Sequence, residues 1–114
     1  MTTIETSKLT DVALDWAVGE ASGTPIYISG KTLTRMDMDG NAYWQPSIDW
    51  SQGGPIIERE WINVTKPDNE LEWKALLMWY DEDNEVCKVT ERGSTPLIAA
   101  MRCYVASKLG DEVE

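Results

Sequence analysis

Hydrophobic positions near the C-terminal end of the chain fall at helical spacing, and both ends of the run are marked. Thr95 is a good N-cap, Pro96 suits the first helical position, and Lys108 with Gly110 suits the end. At about 100° per residue, Leu97, Ile98, Met101, Tyr104, Val105 and Leu109 form a broad apolar stripe. The opposite side is small rather than solvated: Ala99, Ala100, Cys103, Ala106 and Ser107, with only Arg102 and Lys108 charged. The pattern predicts a helix that needs neighbours on two sides.

A second helix is predicted from Thr10 to about Gly19. Thr10 caps it, Leu9 is placed to staple it, and Asp11 and Asp15 form its polar edge. The rest of that segment is apolar, so this helix too is expected to be well buried. Between the helices the period changes to two. Short strands are predicted at 26–28, 32–36, 56–64, 73–80 and 86–91, with Asp39-Gly40 and Lys66-Pro67-Asp68-Asn69 as turns and Asp81-Glu82-Asp83-Asn84 as a hairpin tip. Both faces of 73–80 are largely apolar, which predicts a central strand covered on each side. Residues 1–8 and 111–114 are expected to be frayed. The order predicts one α+β domain over 1–114: an antiparallel sheet of four to five short strands with an N-terminal and a C-terminal helix packed on it.

Composition narrows the function classes. The 114 residues carry a net charge of −10, which argues against direct binding to a nucleic-acid backbone and permits a basic partner. The chain has no histidine, which removes the commonest general base and metal ligand. It has no phenylalanine but six tryptophans and four tyrosines, rings suited to sites that are apolar on one side and wet on the other. No apolar run approaches the roughly 20 residues that span a bilayer, and Met1–Glu5 lacks the features of a secretory signal. A cytoplasmic location is expected, with Cys87 and Cys103 as buried free thiols.

Candidate chemistry concentrates between Tyr43 and Glu60. Tyr43 and Trp44 precede a proline, Asp49 and Trp50 sit in an irregular stretch, and Gly53-Gly54-Pro55 lets backbone approach a ligand. On a strand, Glu58 and Glu60 share one face and Arg59 the other. One reading is an aromatic-walled pocket with Arg and carboxylates orienting a polar ligand. The other is that the tryptophans plug the core and Gly-Gly-Pro merely turns the chain. Arg102 either pairs with a carboxylate such as Glu58 or points into a pocket. Asp37-Met38-Asp39-Gly40-Asn41 resembles the start of a calcium loop, but Ala42 and Ile48 occupy the positions that need Gly and Glu. No metal and no cofactor is called for. Asp49, Glu58 and Glu60 remain a weak Mg²⁺ set.

The segments 46–60 and 95–113, with Leu14-Asp15-Trp16-Ala17-Val18, resemble the NinX-type family of small tailed-bacteriophage and prophage proteins. The resemblance implies a phage origin and action inside a bacterial host. It carries no reaction and no catalytic residue; its matching segments offer Asp49, Trp50, Gly53, Gly54, Glu58 and Arg102 as a surface. The leading expectation is a counter-defence protein that sequesters a small polar ligand such as a signalling nucleotide, held by Tyr43, Trp44, Asp49, Trp50, Gly53, Gly54, Glu58, Arg59 and Arg102 with help from Arg35. The alternatives are an inhibitor that binds a host defence protein and, behind it, a metal-assisted hydrolase. A homo-oligomer is expected on any of them, from the apolar surface of the two helices.

Overall fold

The computed structural model describes residues 4–30, 32–35 and 43–113. In chain order the elements are β1 (Ile4–Glu5), a 3-10 turn (Thr6–Lys8), α1 (Asp11–Ser22), β2 (Ile26–Ser29), β3 (Thr32–Arg35), α2 (Trp50–Glu60), β4 (Asn63–Thr65), β5 (Trp73–Tyr80), β6 (Val86–Gly93), α3 (Pro96–Leu109) and β7 (Glu112–Val113). The α+β class holds. The single sheet with two helices does not: β4-β5-β6 form a three-stranded sheet, β2-β3 and β1-β7 are separate two-stranded ladders, and there is a third helix.

α3 is the central element. Thr95 Oγ1 accepts from Ile98 N at 3.1 Å, Pro96 opens the helix, and Gly110 N bonds Ala106 O at 3.0 Å behind it. Gly110 has φ 91° and ψ −171°, so the turn is not the left-handed helical cap expected there. The helix packs on β5 and β6 with one side and on α1 and α2 with others. Its small residues Ala99, Ala100 and Cys103 are fully buried, which is why neighbours approach closely on both sides. Met101 and Val105 meet Leu9, Leu14 and Val18 in one core, each such side chain contributing roughly 1.5–3 kcal/mol.

β5 pairs with β6 from Trp73↔Gly93 to Tyr80↔Val86 and with β4 on its other edge, so it is central as expected. It is not covered on both faces. Ala75 and Leu77 are buried on the α3 side, whereas Met78 and Tyr80 on the far face are exposed. The missing second layer is the reason: all three helices contribute to the core on the other side.

Three further expectations change. The 56–64 strand is mostly α2; only Asn63–Thr65 is extended. Asp49 Oδ1 accepts from Ser51 N at 2.9 Å and so caps α2, and burial at Gly53 and Ile56 follows the helical period. Glu58, Arg59 and Glu60 are therefore spaced around a helix rather than alternating across a strand. α1 runs past Gly19 to Ser22, because Gly19 is a packing position: a Cβ there would lie 2.5 Å from Ile26 Cδ1 and 3.3 Å from Trp44 Nε1. Within the segments beside the two ends, Ile4 pairs with Val113 and Glu5 with Glu112, with Thr6 Oγ1 donating to Gly110 O at 2.7 Å. The Asp39-Gly40 turn and the calcium-like stretch lie outside the described residues. Cys103 is buried and Cys87 half-buried, both as free thiols, and burial pushes Cys103 up to about 12.

Candidate functional site

The residues singled out from the sequence divide among several places. Tyr43 is exposed, bridging Thr34, while Trp44 N donates to Leu33 O at 2.8 Å. Those bonds turn the next indole inward: Trp44 is 5% exposed, and its Nε1 donates to Asp15 O at 2.8 Å. Trp50, the first residue of α2, is 56% exposed. Asp49 is spent on the helix cap, accepting also from Ser51 Oγ at 2.6 Å. Gly53 and Gly54 lie within α2, not in a loop. A Cβ on Gly53 would meet Pro46 O at 2.5 Å and Leu97 Cδ2 at 2.6 Å, so this glycine lets the helix pack. Glu58 is exposed. Arg102 pairs with neither Glu58 nor a pocket: its Nε donates to Leu9 O at 2.9 Å and its Nη1 to Arg92 O at 2.8 Å.

Part of the expected pocket does assemble. Arg35, Trp44, Ser51, Gln52 and Arg59 line a cleft of 220 Å³. The Arg35 guanidinium stands 5.3 Å from the centre of the Trp44 ring. Gln52 braces the wall, its Oε1 accepting from Gln45 N at 2.7 Å. Arg59 is tied to Glu60 at 3.1 Å, and Glu60 to Lys108 at 3.3 Å. Burial alone raises the Glu60 carboxyl, but the bonds to Arg59 and Lys108 outweigh it and hold it below its usual value.

A larger concavity lies elsewhere. A groove of 720 Å³ runs between α1, the β2-β3 hairpin and the end of α3. Its walls include Val12, Ala13, Trp16, Ile28, Leu33 and Leu109, with Glu20 and Glu112 as its charged members. α1 is thus not buried all round. Val12 and Trp16 remain exposed, as do Ile28 and Leu109 across from them.

Beside the groove, sharing Val12 and Leu33 with it, is a cup of 130 Å³ lined by Asp11, Asp15, Tyr43, Trp44 and Ser47 among others. Asp15 is 5% exposed and accepts from Ser47 N at 2.8 Å through Oδ1. The buried Ser47 hydroxyl lies near the same carboxyl without completing a hydrogen bond. Burial, with a contribution from Asp11, pushes Asp15 up to about 6 against the partial relief from Ser47. Sequence reasoning placed Asp15 on a solvated edge and missed this. The available signal was its position among Leu14, Trp16, Ala17 and Val18, where little solvated surface remains.

Among the described residues, no three His, Cys, Asp or Glu side chains gather where they would hold a metal ion, and Asp49, Glu58 and Glu60 are engaged or apart as described. No helix among them is long and apolar enough to cross a membrane. No curated protein matches the chain. A family model does, over residues 5–108, and by that match the chain belongs to the family described as Bacteriophage P22, NinX.

Proposed function

We propose that this phage-family protein acts inside the infected host by binding a host protein, with the α1 groove as its contact surface. The observation that carries the reading is the groove itself. At 720 Å³ it is more than three times the volume of the Arg35–Arg59 cleft, and its apolar walls include Val12, Trp16, Ile28 and Leu109, all left exposed. Exposed apolar surface of this kind in a folded chain marks interaction sites, and a groove beside a helix suits an apolar segment of a partner. The test compares the native protein with Ala13→Glu, which puts a charge on an exposed groove position of α1. Host proteins enriched by the native chain and lost with Ala13→Glu support the reading. An identical set from both, or no stoichiometric complex with the native chain, overturns it.

A second reading, capture of a small anionic ligand for counter-defence, is favoured by the Arg35–Trp44–Arg59 cleft. Its 220 Å³ is below the roughly 300–1,000 Å³ of ordinary ligand sites, so it suits a phosphate group better than a whole nucleotide. A rise in Tm with nucleoside diphosphates that Arg59→Gln abolishes would support it. No shift with any phosphate-bearing compound would remove it.

A further inference from the structure

The cup and the groove share Val12 and Leu33 in their walls, so Asp15 lines a recess that adjoins the groove. The cup has two carboxylates, Asp11 and Asp15, the half-exposed Tyr43, and the uncommitted Ser47 hydroxyl. Among the described residues, no cation lines it. Burying a carboxyl this deeply is costly, and among the described residues its hydrogen bond is the one from Ser47 N. The groove adds Glu20 and Glu112, and among the described residues it likewise has no basic lining residue. An apolar channel with only negative charge beside it selects an occupant that is apolar on one face and basic at its edge.

We propose that groove and cup form one docking surface for a basic amphipathic helix of the host partner. That helix lays its apolar face along Val12, Ala13, Trp16 and Ile28 and seats one guanidinium or ammonium group against Asp15. This rests on the host-protein reading and adds the chemistry of the partner. A second copy of the chain is a poor occupant. Its net charge of −10 and the same acids on both rims oppose self-docking. α3, whose small and apolar faces suggested an oligomer, is already covered within one chain.

The cup and the groove are tested separately. The probe is a capped helical peptide of Leu, Ala and Gln with an apolar face and a single terminal Arg, labelled for fluorescence anisotropy. One twin has Gln in place of Arg, and another has the same composition scrambled so that no apolar face forms. The full-length protein is expected to bind the Arg peptide about tenfold more tightly than the Gln twin, a typical effect for a charge-assisted pair. It is expected to leave the scrambled peptide unbound. In Asp15→Asn, whose carboxamide still accepts from Ser47 N, the Arg and Gln peptides are expected to bind alike. If Arg and Gln peptides bind the native protein equally, the cation seat is wrong while the groove reading stands. If the scrambled peptide binds as well as the Arg peptide, or Ala13→Glu binds like the native chain, the groove reading falls as well. Self-association in light scattering that Ala13→Glu abolishes would make a second copy the occupant and overturn the proposal.

Discussion

Asp15 makes stability depend on pH in a direction opposite to most carboxylates. Its folded value of about 6 lies above the ordinary 3.8. Between those two values the native state keeps a proton that the unfolded chain releases, so stability falls as pH rises through the window and stays lower above it. The size is about 1–3 kcal/mol. Asp15→Asn is expected to show a flatter profile and a higher Tm than the native chain at neutral pH. Chemical denaturation at several pH values reads the difference, and parallel curves would refute it. The two glycines of α2 separate local from tertiary effects. Gly54→Ala gains about 0.5–1 kcal/mol in helix propensity but loses it to the clash of the new Cβ with the ring of Pro55, so stability is expected to stay nearly unchanged; beyond its chain neighbours the Cβ would meet only Trp50 Cε3 at 3.7 Å. Gly53→Ala is expected to destabilise by about 1–3 kcal/mol despite the same gain, because Pro46 O and Leu97 Cδ2 already occupy the space. Urea melts of both variants decide it.

At the scale of elements, α2 ends in a way that invites improvement. Trp61 N bonds Glu58 O and Ile62 N bonds Ile57 O, a Schellman closure that puts Trp61 at φ 58°. Its side chain is 86% exposed and gains little there. Trp61→Gly is expected to raise stability by about 0.5–1 kcal/mol, read as a higher urea midpoint at unchanged slope. This helix was the element hardest to see in the sequence. Ile56 and Ile57 favour strands, and Gly-Gly-Pro reads as a break; what overrides them is the Asp49 cap and the fit of Gly53 against Pro46 and Leu97, neither visible without the fold. α3 was legible from its caps, and β5 from a short apolar run bounded by turn signals. The candidate site was less so. Trp44 and Arg59 do share a cleft, but Arg102 spends its donors on Leu9 and Arg92 carbonyls from distant parts of the chain. Asp15, unlike the exposed Asp11, misled because on a helix apolar nearly all round, periodicity cannot say which polar residue faces inward.

Charge is unevenly distributed over the whole molecule. By strand register, Lys74, Lys88 and Arg92 share the open face of the sheet with Leu76, Met78 and Tyr80, whereas the charged residues described in the groove between α1 and the β2-β3 hairpin are the acids Glu20 and Glu112. The net excess of −10 repels itself. Raising NaCl from about 0.02 M to about 0.5 M is therefore expected to raise Tm, because it shortens the screening length; a fall in calorimetry would show that favourable ion pairs such as Glu60 with Lys108 outweigh the repulsion. The pairing of β1 with β7 has a consequence of another kind. Glu112 sits both in that ladder and in the wall of the groove. Loss of Glu112 and Val113 would therefore leave the first strand without its partner and take one acid from the groove wall together, so the ladder and the groove stand or fall as a unit.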